Sequence, residues 1–70
     1  MMKLKHDRLS AGIGLREFAR DAGISKDAVL RIETSPGPER VNYGDVVRYA
    51  RAARRAGLTR AMVEDLFPVA

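Results

Sequence analysis

Apolar residues recur at three- and four-residue intervals along most of the chain, and this period predicts helices rather than strands. The central stretch, residues 15–33, has its apolar positions at Leu15, Phe18, Ala19, Ala22, Ile24, Val29 and Ile32. Gly23 interrupts this pattern, and glycine readily adopts the positive φ with which many helices end. Ser25 then supplies an N-cap hydroxyl for a new helix. The stretch therefore predicts a helix, a short turn and a second helix, crossing where Ala19 is small enough to allow close approach.

Three more helices are predicted around this pair. The first covers residues 1–11 and ends at Gly12, and the fourth covers residues 43–56 after an Asn42 cap and ends at Gly57. A short fifth helix, residues 60–67, is stopped by Pro68. The proline- and glycine-rich stretch 34–42 predicts a loop. We therefore expect an all-α, compact five-helix domain over residues 1–70, with frayed ends at 1–2 and 68–70.

Composition narrows the classes of function. Seventy residues allow one small core, and the absence of cysteine excludes disulfides and thiolate metal sites. A single histidine, His6, gives no cluster for a metal, and neither paired carboxylates nor a phosphate-binding glycine loop suggest an enzyme or a cofactor. No apolar run is long enough to predict a membrane span. Thirteen basic against nine acidic residues, ten of the thirteen being arginine, give a net charge of +4, which is typical of nucleic-acid binders but not specific to them.

The pattern LxxxAxxxGISxxxVxxIE, residues 15–33, resembles the helix-turn-helix of the lambda-repressor-like, Cro/CI-type regulators, also called the Xre family. The resemblance implies a five-helix lambda-repressor-like fold in which helices 2 and 3 form the motif and helix 3 enters the DNA major groove. It also implies an ion pair between Arg8 on helix 1 and Glu33 at the end of helix 3. Such a pair would fix the position of the recognition helix.

The resemblance assigns base contacts to Lys26, Asp27, Ala28 and Arg31 of helix 3, and Leu30 is a further candidate because it also lies outward. Lys26 and Arg31 can donate to guanine, and Ala28 can contact a thymine methyl group. Asp27 either accepts from a cytosine amino group or simply favours the positive end of its own helix. Leu30 is either half-buried against the next loop or a second contact to methyl groups.

Phosphate contacts are expected from helix N-termini and from the loop. The predicted residues are Gly14, Leu15, Arg16, Ser25, Thr34, Ser35, Arg40, Asn42, Tyr43 and Gly44. The sequence departs from the family at Gly14, where a Ser or Thr cap is usual, and at Leu15, where a phosphate-binding Gln is frequent. Backbone N–H groups and Arg16 would then have to make the contact at this end of helix 2.

Two further surfaces are suggested. Helix 4 has four arginines on one side, Arg48, Arg51, Arg54 and Arg55, which form a solvated face, a phosphate-binding flank or a site for an acidic protein. Helix 5 has an apolar face, Met62, Val63, Leu66 and Phe67, which is expected to be partly core and partly dimer interface. We therefore expect a cytoplasmic, homodimeric repressor that binds an inverted repeat in double-stranded DNA without a small-molecule effector. The alternative is an antitoxin-type or other protein-binding module with an acidic protein partner.

Overall fold

The computed structural model of the chain describes residues 2–36 and 41–58, and within them it contains four α-helices and no strand. The helices are α1 (Met2–Ser10), α2 (Leu15–Ala22), α3 (Lys26–Thr34) and α4 (Tyr43–Arg55). The prediction of an all-helical chain is confirmed for this part. The predicted fifth helix, residues 60–67, lies outside the described residues.

The core lies between the four helices, with α2 packed against both α3 and α4, and α1 packed against α3. Its two largest fully buried side chains are Phe18 and Tyr49, whose ring centroids are 4.7 Å apart at an interplanar angle of 59°. Such tilted pairs stabilise a core beyond the area they bury. Many of the other core residues are alanines, which allow the helix axes to approach closely. The buried apolar residues are Leu4, Phe18, Ala19, Ala22, Val29, Ile32, Val46, Tyr49, Ala50, Ala52 and Ala53.

Three of the helices end in the same way. After α2, Gly23 has φ 73°, its N–H donates to the Arg20 carbonyl, and the next N–H, of Ile24, donates to the Ala19 carbonyl. This is the Schellman arrangement, which satisfies carbonyls at the helix end. The same two bonds recur after α1 and α4. In each case the residue after the glycine is apolar and packs against the core: Ile13, Ile24 and Leu58.

The spacing of apolar and small residues predicts inward positions for Leu9, Ala11, Gly23 and Ala56, and all four predictions are wrong. Ala11 lies in the turn after α1 and is exposed, and Leu9 is also exposed. Gly23, predicted to face inward, is exposed because it belongs to the turn. Ala56 is exposed as the C-cap of α4, and Ala52 is buried in its place.

Candidate nucleic-acid interface

The helix α3 has one buried and one exposed side. Ser25 begins it as predicted, since its Oγ accepts a hydrogen bond of 3.0 Å from the Ala28 N–H. Val29, Ile32 and Glu33 are buried. The opposite side, which we call the outer face of α3, consists of the exposed residues Lys26, Asp27, Leu30 and Arg31.

The predicted base-contacting residues therefore lie together on one surface, with one partial exception. Ala28 is only partly exposed, at the border of the outer face. Leu30 is 37% exposed, so a large part of its side chain is accessible from outside. Asp27 lies in the first turn of α3, where a carboxylate also favours the positive end of the helix.

Glu33 anchors the buried side of α3 to two other helices. Arg8 of α1 donates from Nε to Glu33 Oε2 at 2.7 Å and from Nη2 to Oε1 at 3.0 Å, which forms the forked ion pair that the resemblance implied. Tyr49 of α4 donates from Oη to Glu33 Oε2 at 2.8 Å. Arg8 also donates from Nη1 to the Ile13 carbonyl at 2.8 Å. One carboxylate thus joins α1, α3 and α4.

This network is almost completely shielded from solvent, because the side chains of Arg8 and Glu33 are 3% and 0% exposed. A buried charge is tolerated only when it is paired and hydrogen-bonded. That condition is met, since no buried side-chain nitrogen or oxygen among the described residues lacks a hydrogen-bond partner. Removing any one member would cost the others at least one hydrogen bond that water cannot readily replace, so the network is expected to respond strongly to mutation.

The network also changes proton affinities. The hydrogen bond to Glu33 raises the pKa of Arg8 above its ordinary value, against the opposing effect of burial, so this guanidinium stays charged. Burial, together with the hydrogen bond to Glu33, strongly raises the pKa of Tyr49. The Tyr49 hydroxyl therefore keeps its proton and remains a donor to Glu33 throughout the physiological range.

Two helix N-termini were predicted to contact phosphate. Gly14 caps α2 with no side-chain hydrogen bond, and Arg16 is exposed in the first turn. Leu15 is partly buried and packs against the core, so only its backbone N–H remains a candidate for that contact. The first N–H groups of any α-helix have no partner within the helix. This end of α2 therefore presents backbone donors beside one arginine.

The N-terminus of α4 is organised differently. The Asn42 side chain accepts a hydrogen bond of 3.2 Å from the Asp45 N–H, so it caps its own helix. Tyr43 is 73% exposed. Gly44 is sterically restricted, because a Cβ there would lie 3.1 Å from Asn42 Oδ1.

The loop predictions are corrected in two places. Thr34 belongs to α3 rather than to the loop, and its Oγ1 donates to the Leu30 carbonyl at 2.8 Å, which engages the hydroxyl. Ser35 is the C-cap of α3 and is only 6% exposed, which is too little to contact a phosphate. Arg40 lies outside the described residues, as do Met62, Val63, Leu66 and Phe67 of the predicted dimer face.

Sequence reasoning missed the roles of Tyr49 and of the Ile13 carbonyl. A signal for Tyr49 was present, since a tyrosine on the apolar side of a helix needs a buried acceptor for its hydroxyl. No sequence rule pairs it with Glu33, which lies sixteen positions earlier in the chain. The carbonyl of Ile13 has no signal at all in its residue type.

Metal sites and membrane-spanning helices were also sought among the described residues. Among residues 2–36 and 41–58, no group of three His, Cys, Asp or Glu side chains is placed to hold a metal ion, and no helix is long and apolar enough to cross a membrane. Comparisons of the chain with known protein families, with curated proteins and with solved structures found no match.

Proposed function

We propose that this chain is a sequence-specific transcriptional regulator of the lambda-repressor-like kind that binds double-stranded DNA. In this proposal α2 and α3 form a helix-turn-helix, and α3 enters the major groove with its outer face towards the bases. The complete fold would have a fifth helix at residues 60–67. The protein would be a cytoplasmic homodimeric repressor that responds to its own concentration rather than to a small-molecule effector.

The observation that carries the proposal is the outer face of α3. Lys26, Leu30 and Arg31 are exposed on a helix whose other side is fully buried and joined to two neighbouring helices through Glu33. A rigid helix with accessible Lys and Arg side chains supplies the donors that guanine O6 and N7 accept, and Leu30 supplies an apolar contact for a thymine methyl group. Rigidity reduces the conformational entropy lost on binding.

The N-terminus of α2 supports the proposal independently. Backbone N–H groups of residues 15 and 16 and the exposed Arg16 side chain lie at the N-terminus of α2, and helix N-termini are favourable positions for phosphate. In a helix-turn-helix the first helix of the motif crosses the phosphate backbone while the second lies in the groove. The proposed phosphate contacts therefore lie on α2 and the proposed base contacts on α3.

Because one helix contacts only a few base pairs, a homodimer on an inverted repeat would supply the remaining specificity. The two recognition helices would then lie about 34 Å apart, one turn of duplex DNA. Met62, Val63, Leu66 and Phe67 are the residues we propose for the dimer interface. Sedimentation equilibrium of the Leu66→Glu variant tests this assignment, since loss of dimer with the helical circular-dichroism spectrum unchanged is the expected result.

The central test is a selection of bound sequences from a randomised duplex library, followed by affinity measurements at several salt concentrations. We expect one motif to be enriched and to bind far more tightly than random duplex DNA. The Arg31→Ala variant should bind the selected duplex about 1–3 kcal/mol more weakly than the parent, while its affinity for random duplex should change little. Arg20→Ala removes the same charge from an exposed position of α2 and is the control. Failure to enrich any motif, or an equal loss for both duplexes in Arg31→Ala, would contradict the proposal.

A further inference from the structure

The four arginines of α4 do not all have the same structural explanation. Arg54 and Arg55 lie in the last turn, where positive charge interacts favourably with the helix dipole. Arg55 also donates from Nη2 to the Asp21 carbonyl of α2 at 2.7 Å. Both residues therefore contribute to the fold itself. Arg48 and Arg51 require another explanation.

Arg48 and Arg51 are exposed, and neither makes a hydrogen bond or ion pair with another described residue. Asp45, the carboxylate one turn before Arg48, does not pair with it within the described residues. The Arg48 guanidinium instead lies over Gly44, with Nη1 3.5 Å from the position of a Cβ there. It thus approaches the positive end of α4, which is unfavourable for a cation without an anionic partner.

Arg51 points away from α3, and Arg48 lies about 60° from Arg51 around the axis of α4, on the same side of that helix. Tyr49 marks the side of α4 that faces α3, because its hydroxyl reaches Glu33. At about 100° per residue, Arg51 lies about 160° around α4 from Tyr49. A straight duplex that contacts the outer face of α3 is therefore not expected to reach Arg51 as well. The arginines belong to a second surface.

From this geometry we propose that Arg48 and Arg51, continued by those N–H donors of Arg55 that Asp21 does not engage, form a docking site for an acidic α-helix of a protein partner. The three Cα atoms follow each other along α4 at rises of about 4.5 and 6 Å. A partner helix with carboxylates at positions i, i+3 and i+7 repeats the same rises. An extended strand presents same-side residues about 6.6 Å apart and fits the first step poorly.

Arginine is the suitable residue for this contact, because its planar guanidinium binds a carboxylate in a forked geometry. The chain shows this geometry already in the buried pair of Arg8 and Glu33. Exposed pairs of this kind are individually weak, so the site gains its specificity from spacing and number. The inference does not depend on whether α3 binds DNA.

The test uses the full chain and two alanine-based helical peptides of identical composition. One peptide has glutamates at i, i+3 and i+7, and the other has them distributed around the helix. Fluorescence anisotropy at low and moderate salt should show tighter binding of the patterned peptide. The double variant Arg48→Gln/Arg51→Gln should weaken that binding about fivefold. The control Lys3→Gln/Arg20→Gln removes the same charge from exposed positions of α1 and α2 and should change it less than about twofold.

Three results would overturn the proposal. Equal binding of the two peptides, or equal loss in the two double variants, would reduce the effect to net charge. A parallel loss of duplex-DNA affinity in Arg48→Gln/Arg51→Gln would assign these arginines to the DNA contact instead. A loss of thermal stability in that variant with no change in peptide binding would assign them to carboxylates of this chain, Glu64 and Asp65 included. Retained DNA affinity with lost peptide binding is the supporting result, and it separates this inference from the proposed function.

Discussion

Replacing Tyr49 by phenylalanine removes one hydroxyl from the buried network and leaves the ring. The ring contact with Phe18, 4.7 Å between centroids, is retained, so packing changes little. Glu33 Oε2 loses the 2.8 Å bond from Tyr49 and keeps the 2.7 Å bond from Arg8. A hydrogen bond to a charged acceptor contributes about 1.5–3 kcal/mol, and the buried carboxylate has no water to replace it. We expect Tyr49→Phe to lower the free energy of unfolding by about 2 kcal/mol.

That loss is large for a chain of 70 residues. A domain of this size has about 4–10 kcal/mol of total stability, so about 2 kcal/mol corresponds to a fall in Tm of roughly 10 °C. Urea unfolding at pH 7, followed by circular dichroism, should show a lower midpoint with an unchanged m-value. Thr34→Val is the matched control, because it removes an exposed hydroxyl whose hydrogen bond to the Leu30 carbonyl water can replace, and it should stay within about 0.5 kcal/mol of the parent. Equal, small effects of the two substitutions would refute the view that the Tyr49 hydroxyl helps to join α4 to α3.

The remaining predictions concern pH and the two ends of α2. Folding raises the pKa of Tyr49, so the contribution of its protonated hydroxyl to stability is complete below about pH 10. Above that pH the contribution is lost at up to about 1.4 kcal/mol per pH unit. Urea unfolding at pH 9 and pH 11 should show this extra loss in the parent and not in Tyr49→Phe. Gly23→Ala should cost about 1–2 kcal/mol, since φ is 73° and no contact within 4 Å obstructs a methyl group, so the cost is conformational. Gly14→Ser should instead stabilise by about 0.5–1 kcal/mol, because φ is −72°, space is open and the N-cap has no side-chain bond. Thermal melts that rank these two variants in the opposite order would contradict the conformational argument for both positions.

The boundaries of the four described helices could be predicted to within one or two residues, because they depend on local signals. Gly23 and Ser25 determine the turn between α2 and α3 by backbone conformation and capping alone. The loop is predicted to begin at Thr34, whereas α3 extends through Thr34. A proline restricts the residue before it, and Ser35 accordingly has ψ 143°, while Thr34 remains helical.

The contacts between helices were less predictable. The pair of Arg8 and Glu33 followed from the family resemblance, not from spacing, since the residues are 25 positions apart. The hydroxyl of Tyr49 shares the same carboxylate only because α3 and α4 pack so that both reach it. The burial of Ser35 likewise depends on the direction in which the chain leaves α3. Such facts depend on three-dimensional packing, which a period in the sequence does not encode.

The two sides of α3 can be mutated independently. Side chains at positions 26, 27, 30 and 31 make no hydrogen bond or ion pair with another described residue. Asp27 acts only through the helix dipole and Leu30 is partly exposed, so replacing any one of the four should change the free energy of unfolding by about 1 kcal/mol or less. Substitutions on the buried side should be more destabilising, because Glu33 accepts hydrogen bonds from both Arg8 and Tyr49. A combinatorial library randomised at these four outer positions should therefore consist mostly of folded members. This separation makes the small domain a practical starting scaffold for engineering new binding preferences.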